Sequence, residues 1–209
     1  MKIEEIQYNE AKVLVGCVEE DIRSLKSQLK NIAIYEEEYS KIKTEKRKIE
    51  FLAARILLNK AVEKEVHVIY NEDNKPYLKD KSSFISITHS KNYVAVITHP
   101  SCQVGIDIEL RTDRVKNIVK RFLNIREQSI FSKENNKLEI AWSAKEALFK
   151  IIGNKVRDFA AELEVFQFTV NEKGTLYVLH VSGSRIYKLR YYQNEIYTLV
   201  LCVDKRIKL

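Results

Sequence analysis

Residues 104–110 read Val104-Gly105-Ile106-Asp107-Ile108-Glu109-Leu110, aliphatic side chains alternating with small or acidic ones. Side chains alternate across a strand, so Val104, Ile106, Ile108 and Leu110 face a core and Gly105, Asp107 and Glu109 face the other way. This strand opens the second of two runs with the same order. Upstream, strands are predicted at 3–8 and 12–17, a short helix at 19–29 and a long helical pattern over 35–60. Ile49, Leu52, Ala53, Ile56 and Leu57 form the apolar stripe of that pattern. Strands at 67–70, 84–88 and 93–98 follow, set apart by Asn-Glu-Asp-Asn and Ser-Lys-Asn turn signals. Downstream come helical stretches at 114–122 and 126–131, and a longer helix over 138–152 that stops at Gly153-Asn154, a C-cap signal. Strands at 163–170, 175–181, 185–192 and 196–203 end the chain. The order predicts an α+β fold of two similar halves, 1–100 and 101–209. They would be related by a pseudo-twofold with an active site at their interface, and the second half carries the acidic strand. No sequence identity between the halves marks a duplication.

The composition is that of a folded protein: 209 residues, 45% hydrophobic and 31% charged, with 5 Gly and 2 Pro. No G-x-G-x-x-G and no G-x-x-x-x-G-K-[ST] is present, which argues against dinucleotide and P-loop sites. The charged start MKIEEIQYNEAK and the lack of an apolar run of ~18 residues argue against a secretory signal and a membrane partner. Cys17, Cys102 and Cys202 form no C-x-x-C and fit reduced thiols of a cytoplasmic protein. Four scattered histidines without H-E-x-x-H leave no zinc pattern. The net charge of +7 is uneven: residues 1–40 are net −4, whereas 41–60 and 111–126 are each net +5. Two basic blocks point to a phosphate-rich ligand or an acidic partner.

Four constellations carry potential chemistry. Asp107 and Glu109 start about 6.6 Å apart at the backbone, so their side chains can converge on one cation. Without it they repel, and one pKa rises. All-oxygen ligands favour Mg²⁺, which takes its remaining ligands from water and substrate phosphates. Gly105 on the same face is expected to leave room for a ligand. On the 138–152 helix, Ala141, Ala144, Leu148 and Ile151 share a core face, while Trp142, Glu146, Phe149 and Lys150 lie opposite. That second face holds the only Trp of the chain, so something is expected to cover it. Glu146 and Lys150, one turn apart, are parts for a metal ligand or base beside a phosphate clamp. Thr88, His89 and Ser90 at a strand end can each donate a hydrogen bond to a phosphate. Arg47 and Arg55, ~80° apart round their helix, are placed to act together on another. Each constellation also has a plainer reading: a solvated strand face, an i,i+4 ion pair, a turn, a basic helix surface.

Taken together and in order, these segments resemble the 4′-phosphopantetheinyl transferase superfamily. Its paired signature is G-[IV]-D-[IV]-E and then W-[SA]-x-K-E-[AS]-x-x-K. Here the two read Gly105-Ile106-Asp107-Ile108-Glu109 and Trp142-Ser143-Ala144-Lys145-Glu146-Ala147-Leu148-Phe149-Lys150. Its S-H-S element appears as Thr88-His89-Ser90, and its K-P pair as Lys75-Pro76. Its K-R-F-[FL] segment appears as Lys120-Arg121-Phe122-Leu123, leading to Glu127. Length and internal order resemble the large, surfactin-synthetase-activating type, a monomer of two halves, and not the small trimeric holo-acyl-carrier-protein-synthase type.

The resemblance implies an enzyme, a holo-[acyl-carrier-protein] synthase. Coenzyme A binds between the halves, and a serine of an acyl or peptidyl carrier protein attacks the phosphorus bearing the pantetheine arm. Adenosine 3′,5′-bisphosphate leaves. It implies that Asp107, Glu109 and Glu146 hold Mg²⁺ and that Lys150 holds the pyrophosphate. Glu146 or Glu127 takes the serine proton, and the resemblance does not decide between them. Arg47, Lys75, Thr88, His89 and Ser90 would hold coenzyme A phosphates, with Arg55 the weaker candidate. Carrier proteins of fatty-acid or secondary-metabolite synthesis are acidic around their serine, so the 111–126 block is expected to rim the site.

Two rival readings remain at the level of sequence. A metal-dependent nuclease needs an acid-x-Lys strand, but Glu109 is followed by Leu110-Arg111. A nucleic-acid-binding module needs exposed aromatics among basic residues, for which 185–197 offers Tyr187, Tyr191, Tyr192 and Tyr197. The alternation there favours a strand with a core face, and no nucleic-acid partner is expected.

Overall fold

A computed structural model describes residues 1–205 of the chain. Contacts divide the chain into two compact units, Met1–Gln103 and Val104–Leu209, and each mixes helices with antiparallel strands.

In unit one, β1 (Lys2–Tyr8) and β2 (Ala11–Cys17) form a hairpin turned at Asn9, which takes a left-handed φ of 54°. The expected helix over 19–29 is shorter, α1 (Ile22–Ser27), because the Asp21 carboxylate accepts the Ser24 N–H at 2.7 Å and fixes the start. The expected helix over 35–60 is two helices. A 3₁₀ turn, Ile32–Tyr35, passes into α2 (Glu36–Ser40), and the Thr44 hydroxyl then accepts the Arg47 N–H to start α3 (Glu45–Val62). A second hairpin joins β3 (Val68–Tyr70) to β4 (Pro76–Leu78), the latter unanticipated since Pro76 lacks an N–H for a ladder. With β5 (Phe84–Ser90) and β6 (Tyr93–His99), the main sheet runs β1-β2-β6-β5. α3 packs across β2 and β6, so Leu52, Leu57 and Leu58 meet Leu14, Val94 and Val96 in the core. Strand alternation places Ile85, Ile87 and His89 on the helix side of β5, and Ser86 and Thr88 on the reverse.

In unit two, β7 (Gln103–Leu110) is followed by a 3₁₀ turn, Val115–Ile118, and α4 (Val119–Phe122), in place of one helix over 114–122. Val115, Ile118, Val119 and Phe122 all turn inward. α5 (Ile125–Phe131) opens with a full capping box between Asn124 and Glu127. α6 (Asn135–Ile152) closes at Gly153, whose φ of 69° suits a residue without a side chain. α7 (Phe159–Glu162) was not foreseen, and β8 (Leu163–Val165) ends well short of residue 170. β9 (Lys173–His180), β10 (Arg185–Gln193) and β11 (Tyr197–Asp204) complete a sheet ordered β7-β11-β10-β9-β8.

α6 lies across β11 and carries Leu138, Ile140, Ala141 and Leu148 into a core with Val178, Leu189, Tyr191 and Val200. It also reaches β7, and this corrects the expectation for Gly105. A β-carbon at Gly105 would stand 1.9 Å from the Ala147 carbonyl oxygen, so its missing side chain is filled by α6 backbone and leaves no ligand space. Asp107 is likewise buried, 6% exposed, and not on an open strand face. Among the described residues no helix is long and apolar enough to cross a membrane.

Candidate functional site

The two signature segments meet where α6 crosses β7. Lys150 donates through Nζ to the Ile106 carbonyl at 2.6 Å and to Asp107 Oδ1 at 3.1 Å, and not to Glu146 one turn away. Glu109 accepts from Trp142 Nε1 at 2.9 Å and from Arg114 Nη2 at 2.5 Å. The second face of α6 is covered, as its residues required, and the cover comes from unit two itself. Trp142 packs against Phe122 and Phe159, with ring centroids 5.2 and 6.1 Å away, and Phe149 against Phe159 at 5.3 Å.

Glu146 sits half-buried in this setting. Burial, and then the negative charge of Asp107, push its carboxyl up to about 7, against a smaller opposing pull from Lys150. Glu109 adds to the rise, so the three carboxylates share one electrostatic field that is short of positive charge. An all-carboxylate donor set in such a field suits a hard divalent cation. The side chains are not gathered for one as they stand. Asp107 turns to Lys150 and Glu109 to Trp142 and Arg114, and among the described residues no three acidic, His or Cys side chains are grouped to hold an ion. The expected trio therefore shares a field without forming a ligand shell.

Glu127 lies elsewhere in unit two. It is 1% exposed, and both its oxygens are engaged: Lys145 Nζ and the Asn124 N–H reach Oε2 at 2.8 and 2.9 Å, and the Val165 N–H reaches Oε1 at 2.8 Å. Lys145 is fully buried and also donates to the Phe122 and Phe159 carbonyls at 2.5 and 3.2 Å. Burial pulls its pKa down, and the Glu127 charge opposes that fall. Sequence reading passed over Lys145. Its place in the second signature was the available signal, and a motif position does not reveal burial.

The basic and hydroxyl candidates of unit one separate. Arg47, Arg55 and His89 line one cavity of ≈ 290 Å³, together with Glu38, Lys41, Glu50, Phe51, Tyr70 and Ile87. Arg55 is 1% exposed, lies over the Phe51 ring at 3.8 Å, and reaches Glu38 at 3.0 Å and Tyr70 at 3.3 Å. Thr88 is buried on the opposite face of β5 from His89, Ser90 ends that strand, and Lys75 donates to Gln103 Oε1 at 3.1 Å. Sequence reading missed Glu50, which accepts from Arg47 at the centre of the pocket.

The positive charge of the 111–126 block is more fully offset than its composition implies. Arg111 reaches Glu139 at 3.5 Å and the Asn194 carbonyl, Arg114 holds Glu109, Lys116 pairs with Asp113 at 2.6 Å and Arg126 with Glu164 at 3.2 Å. Lys120 and Arg121 are exposed, as are the paired Arg114, Lys116 and Arg126. In the C-terminal strands, Tyr187 and Tyr191 are buried in the core and Tyr197 is buried as well, so three of the four tyrosines needed for a stacking platform are covered.

Residues 103–202 match the family model of the 4′-phosphopantetheinyl transferase superfamily. Two curated relatives are the 4′-phosphopantetheinyl transferases AcpT of Salmonella typhi and Salmonella typhimurium. Each is 25% identical over 112 residues, covering 50% of this chain and 58% of the relative. The match thus spans little more than half the length of those relatives. Both comparisons support the superfamily.

Proposed function

We propose that the protein transfers the 4′-phosphopantetheine arm of coenzyme A to a serine of an acyl or peptidyl carrier protein, with Mg²⁺, releasing adenosine 3′,5′-bisphosphate. The observation that carries the reading is the meeting of Asp107, Glu109, Glu146 and Lys150 at one crossing of strand and helix, within the stretch that matches the superfamily. Asp107, Glu109 and Glu146 would hold the ion, which supplies charge neutralisation on the pyrophosphate when bound. Lys150 is already a donor toward this carboxylate cluster and would turn to a phosphate oxygen. Arg47, His89 and the weaker Arg55 would bind one coenzyme A phosphate in the cavity of unit one, while Lys75, Thr88 and Ser90, which lie outside that cavity, would bind elsewhere on the same ligand. Of the two candidate bases we favour Glu146. The oxygens of Glu127 are committed to Lys145 and two backbone N–H groups, whereas Glu146 lies in the field of Asp107 and Lys150 where the chemistry is assigned.

We propose further that the protein is of the large, monomeric type acting in the cytoplasm, in keeping with its two α+β units and its three free cysteines. The test is intact-mass spectrometry of a panel of apo acyl and peptidyl carrier proteins after incubation with coenzyme A and Mg²⁺. Gain of one phosphopantetheine arm on at least one carrier is expected, and its absence on all of them would refute the proposal.

A further inference from the structure

The pocket of unit one places a buried carboxylate where an anion is assigned. Glu50 is 5% exposed and stands at the centre of three basic groups. Arg47, one turn earlier on α3, donates Nη1–H to Glu50 Oε2 at 2.7 Å. His89 Nδ1 from β5 lies 3.4 Å from Glu50 Oε1, and Lys46 Nζ lies 3.8 Å from the same oxygen. Arg47 Nη1 also meets His89 Nε2. A guanidinium only donates, so Nε2 must present its lone pair in that contact, and the ring proton sits on Nδ1 toward Glu50. As it stands the imidazole is neutral, strung between a donor and a carboxylate.

We propose that Glu50 is a positioning residue that holds Arg47 and His89 on one anion, and that a phosphate entering this pocket binds with uptake of a proton by His89. The inference rests on the reading of Arg47 and His89 as ligands of coenzyme A phosphates. A phosphate dianion only accepts, so it can meet the ring at Nε2 only if Nε2 carries a proton, and moving the Nδ1 proton there would set a bare Nδ1 lone pair against the Glu50 carboxylate. Arg47 releases Nε2 and turns its Nη1 donor to the phosphate. A solvent proton joins Nε2, and the imidazolium then donates Nε2–H to the phosphate and Nδ1–H to Glu50. Around the ring, α3 contributes Lys46, Arg47, Glu50 and Arg55, α2 contributes Glu38, the residue following it Lys41, and β3 Tyr70. Lys41, Arg47 and Arg55 line the cavity against Glu38 and Glu50, a near balance that leaves the added imidazolium charge to make the pocket attractive to a dianion.

Isothermal titration calorimetry in buffers of different ionisation enthalpy reads proton uptake directly. At about pH 7.5, above the ordinary imidazole range, wild-type protein should take up close to one proton per coenzyme A bound. Uptake that is lost with dephospho-coenzyme A assigns the anion to the ribose phosphate, and uptake that persists assigns it to the pyrophosphate; either supports the proposal. His89→Asn should bind without uptake. Glu50→Gln should lose the uptake and weaken coenzyme A roughly tenfold, with its fold checked by thermal melting. Tight binding by wild-type protein without proton uptake, or Glu50→Gln with unchanged uptake and affinity, overturns this inference alone. No binding of either ligand by folded wild-type protein overturns the assignment of the pocket to coenzyme A as well.

Discussion

Glu146 keeps its proton up to about pH 7 because burial and the charge of Asp107 both oppose ionisation. Its folded-state pKa is raised, so the unfolded chain ionises first as pH rises. The stability this group contributes is fully present below its ordinary 4.5 and is lost as pH climbs through about 7. Glu146→Gln removes that dependence. In chelator, the variant should melt close to wild type at about pH 4 and above it at about pH 8, while transfer falls at least ~10²-fold. Melting curves across pH read the first effect, and an equal Tm gap at both ends would exclude it. Lys145 and Glu127 are a different kind of pair, buried and joined to the backbone at the Phe122 and Phe159 carbonyls and the Val165 N–H. Removing one charge strands the other, so Lys145→Ala should cost about 3–5 kcal/mol in chemical denaturation. Lys145→Met combined with Glu127→Gln should cost clearly less. Both pairs lay within recognisable motifs, yet burial decided their roles, and burial is set by residues far away in sequence.

At the scale of elements, Gly105 fixes the spacing of β7 and α6, and that spacing lets Lys150 reach Asp107. Gly105→Ala must move α6 backbone, since the clash is with the Ala147 carbonyl and not with a flexible side-chain end. It should destabilise by about 1–3 kcal/mol or more, and lower transfer further than the stability loss explains, as shown by activity at a temperature where the variant is fully folded. Most strands were legible because apolar alternation is read residue by residue. β7, β10 and β11 lie within two residues of their expected bounds. The break between α2 and α3 was not, because the apolar period runs through it and only the Thr44 cap marks the restart. β8 was overextended for a related reason. Residues 163–170 have strand composition, but pairing with β9 ends at Val165. Gly105 was legible as a special position, but with the wrong occupant, because a sequence does not say whether helix backbone or ligand fills the gap.

For the whole molecule, the excess of +7 is spread less freely than its two blocks implied. Arg111, Arg114, Lys116 and Arg126 are engaged with acidic partners of the same unit, the last three while still exposed, so Lys120 and Arg121 are the exposed charges not offset by such a pair and best suited to steer an acidic carrier. Lys120→Glu with Arg121→Glu should raise the carrier KM and flatten its salt dependence, since steering acts over a screening length of about 8 Å at physiological salt. The coenzyme A KM should stay near wild type, and steady-state kinetics at two salt concentrations separate the two. The α+β class and the motif positions were readable from one sequence. The cavity shared by Arg47, Arg55 and His89 was largely readable, since helical spacing joins the arginines and the family resemblance assigns His89 to the same ligand, whereas Glu50 is added by the fold alone. The central claim is group transfer from coenzyme A at the crossing of α6 and β7. Its most direct test is a single-turnover reaction on an apo carrier protein that follows carrier mass and free adenosine 3′,5′-bisphosphate together, for wild type and for folded Asp107→Asn. The account predicts that both products appear one for one in wild type and that both are lost in the variant. Release of the bisphosphate without carrier modification, or unaltered transfer by Asp107→Asn, would contradict it.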